Sequence, residues 1–259
     1  MNERLRVNLS IVLWVTLAFV VIVCGVYIIG NKDVARVAPV EATAEECHPF
    51  DVVANDAMQY DGVEGMAVAY VDANGATSAC GYGSLAGDVV LTLDGLNTPI
   101  LSIVTMRGVE QGRITLNEAV AIINEDVDEL LSGTDVLNAI GMEATAMDDD
   151  ATTTTIGDMS KLAAVLLCDG EINGMTILSS CGVDALLTSA FGWSRPAAMS
   201  LLSDKAVEYC GDNWAIIVDR EADVAVAIVV DEAESLDEEL FEDIRSKCSS
   251  VARAVASKK

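Results

Sequence analysis

Histidine is almost missing from this chain: 259 residues contain one, His48. A serine–histidine–acid triad, or a histidine-rich metal centre, would have to be built on that single residue. No Cys-x-x-Cys pair occurs either, so the thiolate spacing of a structural zinc site is absent, and neither metal nor organic cofactor is expected. Cations are scarce. Lys and Arg number 15 against 41 Asp and Glu, a formal net charge of −26. Such a surface repels nucleic acid and anionic lipid headgroups while favouring solubility. The run Asp148-Asp149-Asp150 lacks the alternating ligand spacing of a calcium loop. There is no internal repeat and no long low-complexity tract.

What the chain does have is apolar residues, 52% of the total, enough for a substantial core. Part of that excess sits in one run. Residues 9–30 carry no charge, and roughly 20 residues at about 1.5 Å each cross a bilayer core of about 30 Å. Arg4 and Arg6 precede the run, which orients a cytoplasmic N-terminus and an extracytoplasmic C-terminus. A cleaved signal peptide would have a shorter apolar core, about 7–15 residues, and a small-residue cleavage site close behind. The triplet Ala42-Thr43-Ala44 lies well past the run, and Cys24 follows Val23 where a lipoprotein site wants a small residue. An uncleaved anchor is the better fit. The organisation read from this is a cytoplasmic tail (1–8), a membrane anchor (9–30), a stalk (31–46) and one extracytoplasmic domain (47–259). That places the protein in the cell membrane as a single-pass chain.

Six cysteines follow the stalk: Cys47, Cys80, Cys168, Cys181, Cys210 and Cys248. An even number in an exported domain points to disulfides, with connectivity undetermined. Cys168 and Cys181 flank the turn Asp169–Gly174 and make a local candidate pair. Cys47 with Cys248 would tie the first helix to the last.

Periodicity gives the element order. Pro49–Tyr60 reads as a helix with Val52, Val53, Ala57 and Met58 inward. Met66–Val71 and Ala76–Tyr82 are strands around a turn carrying Asn74-Gly75. Helices follow over Pro99–Val109 and Thr155–Cys168. Met199–Cys210 reads as a strand, and Trp214–Val218 with Val224–Val230 as a hairpin. Ser235–Ala256 is a last helix, with Leu240, Ile244, Cys248, Val251 and Val255 on one face. Strands at both ends and helices between them imply one antiparallel sheet completed by distant segments, an α+β domain.

Several phrases in this order resemble class A β-lactamases and the related serine D-alanyl-D-alanine peptidases. Thr98-Pro99-Ile100-Leu101 through Gly108-Val109-Glu110-Gln111-Gly112-Arg113-Ile114-Thr115-Leu116-Asn117-Glu118 resembles the helix bearing the family nucleophile and the segment after it. Ile140-Gly141-Met142-Glu143 and Thr153-Thr154-Thr155-Ile156-Gly157-Asp158-Met159 resemble the helical middle. Asp204-Lys205 resembles the approach to the Lys-Thr-Gly strand. The resemblance spans residues 47–257 and implies a β-lactamase-like sheet with packed N- and C-terminal helices.

It also implies a catalytic set: Ser-x-x-Lys for acylation, Ser-Asp-Asn for proton transfer, Lys-Thr-Gly for the substrate carboxylate. The spacing matters because residues three or four apart share a helix face, so amine and hydroxyl can touch. With Pro99 in its usual place, the nucleophile position falls on Asp94 and its lysine on Asn97. No other register rescues the motif. The lysines are Lys32, Lys161, Lys205, Lys247, Lys258 and Lys259, preceded at three positions by Ile29, Asp158, Leu202, Ile244, Val255 and Ala256. Ser-Asp-Asn is absent, as is a match to the class A deacylation loop. The third motif reduces to Lys205-Ala206-Val207. The nearest Gly-x-Ser-x-Gly, Gly192-Trp193-Ser194-Arg195-Pro196, fails at its last position. Asp94 is better read as a carboxylate satisfied by hydrogen bonds or an ion pair than as a nucleophile. If Lys205 approaches it as the family lysine approaches its serine, the two would plug the old site.

The sequence therefore reads as a membrane-anchored β-lactamase-like domain without acyl-transfer chemistry, binding or scaffolding an envelope protein or a peptidoglycan-related ligand. The alternative is an active β-lactamase or carboxypeptidase with rebuilt residues.

Overall fold

Alternation in the sheet strands divides the apolar residues between two layers. The computed structural model describes residues 48–125, 133–147, 152–196, 202–232 and 236–257. The tail, anchor and stalk segments, Cys47 and Asp148–Asp150 lie outside those residues. Among the described residues no helix is long and apolar enough to cross a membrane.

A 3-10 turn, His48–Phe50, leads into α1 (Asp51–Ala57). Strands β1 (Val63–Val71), β2 (Thr77–Gly83) and β3 (Leu91–Leu93) precede the helical region of α2 (Asn97–Glu110), α3 (Leu116–Glu125) and α4 (Gly133–Ile140). Short strands β4 (Ala146–Met147) and β5 (Thr152–Thr154) introduce α5 (Ile156–Leu167); β6 (Glu171–Ile172), β7 (Met175–Thr176) and α6 (Ser180–Leu186) follow. The chain returns through β8 (Val207–Cys210), β9 (Trp214–Asp219) and β10 (Val224–Glu232) to α7 (Glu238–Ala256). The main sheet is antiparallel, in the order β2-β1-β10-β9-β8. β1 and β10 thus pair across most of the sequence, Met66 opposite Val230. The α+β expectation holds.

Both faces of the sheet are covered, which is why β9 and β10 are nearly continuous apolar runs. Ala67, Ala69, Ile216, Val218, Ala227 and Val229 face the layer of α2 and α5. Met66, Val68, Ala215, Ile217, Val226 and Ile228 face α1 and α7.

α5 starts where the sequence predicts. Thr155 caps it, its hydroxyl oxygen accepting from Asp158 N at 3.2 Å. Thr155→Ala should cost about 1 kcal/mol, read as a lower urea midpoint at unchanged slope.

Three local expectations are corrected. Val52 points outward, 76% exposed, while Ala54 takes the inward place beside Val53 and Ala57. Within the Met199–Cys210 strand, whose first three residues lie outside the described ones, only Val207–Cys210 is strand, because Ser203 is held by the buried carboxylate of Asp219 through its N–H (2.7 Å) and hydroxyl (2.6 Å). The deepest stripe of α7 is Phe241, Ile244, Arg245, Cys248, Ser249 and Ala252, with Leu240, Val251 and Val255 at its margin.

The proposed cysteine pairs are also corrected. Cys168, Cys181, Cys210 and Cys248 are free thiols. Cys168 ends α5 beneath the β1–β2 turn, where a Cβ on Gly75 would come within 3.0 Å of its sulfur, whereas Cys181 is exposed on α6. Cys248 lies fully buried between α7 and the sheet. Cys80 is disulfide-bonded.

Candidate functional site

The β-lactamase resemblance of the sequence implies a site at the seam between the start of α2 and the sheet edge β8. α2 begins after a tight approach, Asp94-Gly95-Leu96. Gly95 has φ +75°, which suits glycine, and Leu96 is fully buried. The Asp94 side chain is exposed. Its carbonyl oxygen accepts from Trp214 Nε1 at 2.8 Å, fixing the entry to α2 against the first residue of β9. Asn97 is half-buried, and its side-chain oxygen lies 3.4 Å from Thr98 Oγ1.

Across the seam, the residue of β8 that faces α2 is Tyr209. Its ring stacks on Trp214, with centroids 5.9 Å apart and planes 6° apart, and meets Trp193 edge-on at 5.6 Å and 75°. Such pairs add about 0.5–1.5 kcal/mol beyond their area burial. The phenol hydrogen-bonds the Thr98 side chain. Burial pushes its pKa up, with the Thr98 bond acting in the opposite sense.

Two glycines make room for the rings. A Cβ on Gly192 would stand 2.7 Å from Tyr209 Cε2, and one on Gly211 would stand 2.1 Å from Trp214 Nε1. Tyr209 and Trp214 thus meet the entry to α2, through the Thr98 side chain and the Asp94 carbonyl. Two cavities lie elsewhere among the described residues. One, about 480 Å³, opens near Lys205, Arg220 and Glu221. The other, about 240 Å³, lies under residues 84–93.

Lys205 does not reach Asp94. It precedes β8 and pairs with Glu221 at 3.6 Å, at the turn end of the hairpin. Asp94 touches Trp214 at the other end. β9 from Trp214 to Asp219 separates them, five steps of about 3.3 Å, or roughly 16 Å. The Asp94–Lys205 ion pair is overturned. Ala206 is buried, and Val207 opens β8 half-buried on the same face of the strand as Tyr209.

Among the described residues no lysine amine pairs with a hydroxyl at the seam. The Ser102 hydroxyl, one turn into α2, donates to Thr98 O at 2.8 Å. Each described lysine is tied elsewhere: Lys161 to Asp158, Lys205 to Glu221, Lys247 to Asp56 and Asp243. Cys210 alternates away from Tyr209 and turns toward α7, its sulfur 2.8 Å from Arg245 Nη1. Burial, then Glu208, pushes its thiol up to about 11. It stays protonated near neutrality, and only the thiolate is nucleophilic.

One hydroxyl–carboxylate–amine cluster does exist, unforeseen in the sequence. Asp158, 3% exposed, accepts from Thr145 Oγ1 (2.8 Å), Ala144 N (2.9 Å) and Lys161 Nζ (2.8 Å); Lys161 also donates to Gly141 O. Both contacts of the Lys161 amine are acceptors, Gly141 O and Asp158 Oδ1, so it acts here as a structural donor. The cluster ties the end of α4 to α5.

No family model matches the chain, and no curated protein sequence matches it. Solved structures do match. A penicillin-binding protein homologue from Caulobacter crescentus aligns with a TM-score of 0.64 at 11% identity, over 82% of this chain and 98% of that one. Simvastatin synthase from Aspergillus terreus gives 0.60 at 9%, over 84% and 100%. A β-lactamase from Mycobacterium bovis gives 0.55 at 14%, over 79% and 98%. The fold is β-lactamase-like, shared with these three structures.

Within this β-lactamase-like fold, Asn97 opens α2 and Asp94 stands three residues before it. Lys205 and Ala206 precede β8, and Val207 is its first residue. The residues that sequence reasoning missed are Thr98, Trp193, Tyr209 and Trp214. A signal was present: the chain has only 12 aromatic residues, summing 3 Trp, 5 Tyr and 4 Phe, and three of them crowd into residues 193–214.

Proposed function

We propose that this protein is a membrane-anchored extracytoplasmic member of the β-lactamase and penicillin-recognising serine hydrolase superfamily that carries out no acyl transfer. It binds or scaffolds an envelope protein or a peptidoglycan-related ligand. The observation that carries this reading is the Tyr209–Trp193–Trp214 cluster standing where a substrate would need to meet α2. The lack of Ser-x-x-Lys in any register supports it independently. The uncharged run 9–30, preceded by Arg4 and Arg6, supports the anchor and its orientation. The net charge argues against nucleic acid as the partner.

The test is covalent. Incubated with a fluorescent penicillin, denatured and run on a gel, the full chain should carry no label. A band that survives denaturation would establish the active-hydrolase alternative. Removing a catalytic nucleophile lowers rates on the order of a million-fold, so the two outcomes are well separated.

A further inference from the structure

The distribution of charge, as distinct from its total, makes a demand on the solvent. Inside the fold the acids are satisfied. Asp158 is held by Ala144, Thr145 and Lys161, Asp219 takes two contacts from Ser203 and the N–H groups of Glu221 and Ala222, and Glu208 meets Arg245 at 2.9 Å. Most of the described cations are already committed. Lys161, Arg195, Lys205, Arg220, Arg245 and Lys247 each pair with a carboxylate. The excess of acid is left at the surface, facing itself.

Three places show this. Around the larger cavity, Asp169, Asp184, Glu221 and Asp223 share two cations, Lys205 and Arg220. The first turns of α7 carry Asp237, Glu238, Glu239, Glu242 and Asp243. Where β10 ends, burial and then the like charges of Asp212 and Asp231 raise the Glu232 carboxyl above its ordinary range.

We propose that the domain is adapted to concentrated salt, and that a screening atmosphere of monovalent cations is needed for its full stability. The Debye length decides the scale. At 0.15 M it is about 8 Å, longer than the roughly 5–6 Å between the Cβ atoms of residues three or four apart on a helix, as Glu239, Glu242 and Asp243 are on α7; at 1 M it is about 3 Å, and such repulsion is largely cancelled. Salt screens attractions too, but the exposed pairs Arg195–Asp204 and Lys205–Glu221 are of the weak kind. The buried Glu208–Arg245 pair is little affected. The net sign is stabilising.

The experiment is a thermal melt of the full chain in a non-ionic detergent, followed by tryptophan fluorescence, from 0.05 to 2 M KCl and in tetramethylammonium chloride. The midpoint should rise by about 10 °C or more, mostly above 0.15 M, and equally in the two salts. A flat or falling midpoint overturns the proposal. So does a rise complete below about 10 mM and confined to one cation, which would mean a bound ion. A triple variant, Asp212→Asn, Asp231→Asn and Glu232→Gln, separates screening from general salting-out, which acts on both proteins alike. It should melt higher than the parent at low salt and respond less to added salt. An unchanged salt response would overturn the proposal as well.

Discussion

Arg245→Met is expected to destabilise the domain by about 3–5 kcal/mol, the range for breaking a buried ion pair from one side. Arg245 lies on α7, 8% exposed, and its Nη1 reaches Glu208 Oε2 at 2.9 Å across the sheet edge. Its guanidinium also sits over the Phe241 ring, 5.0 Å from the centroid. Without it, Glu208 would be a buried carboxylate with no cation, and burying an unpaired charge is far costlier than losing an exposed pair. The control is Glu208→Met with Arg245→Met. Replacing both members of such a pair with apolar residues is often neutral or better, so the double variant should recover most of the loss in urea unfolding. If the double variant is as unstable as the single one, packing by the arginine stem, and not charge, dominates.

The second large effect belongs to the seam. Trp214→Ala should cost about 3–5 kcal/mol, the range for truncating a large core aromatic. Trp214 is 1% exposed, stacks on Tyr209 and donates to Asp94 O. Trp214→Phe keeps a six-membered ring for the stack and loses the indole's smaller ring with its donor, the donor accounting for about 1 kcal/mol, so its loss should be smaller than that of the alanine variant. If both variants lose equally, the hydrogen bond at the entry to α2 matters more than the stack. Equilibrium unfolding of the pair decides between them.

The elements that were legible in sequence are those whose signal is local. Thr155 at the start of α5 and Asn74-Gly75 between β1 and β2 carry their own capping and turn chemistry, and both sit where expected. The order of strands and helices likewise followed from periodicity. Long-range pairing explains what was missed. Arg245 turns the buried face of α7 toward a partner on β8, and no helical pattern predicts a buried cation without knowing that partner. Ser203 leaves the expected strand because Asp219, sixteen residues on, captures it. Lys205 was placed by likeness to a motif, whereas the hairpin turn fixes which end of β8 faces α2, and that end presents Tyr209. The start of the candidate site, Asp94 to Asn97, was readable because Pro99 marks its helix; the aromatic infill was not, because its three rings come from a loop, an edge strand and the first position of β9.

The pairing of β1 with β10 carries a cost during synthesis. Met66 waits for Val230, about 160 residues later, and closing so long a loop is entropically expensive and slow. Until the ribosome has delivered that distant strand, a nascent chain holds an apolar ribbon with one side open to other molecules, the situation in which aggregation competes with folding. A product cut short before β10 would stay in that state, so premature termination late in the message is as damaging as termination near its beginning.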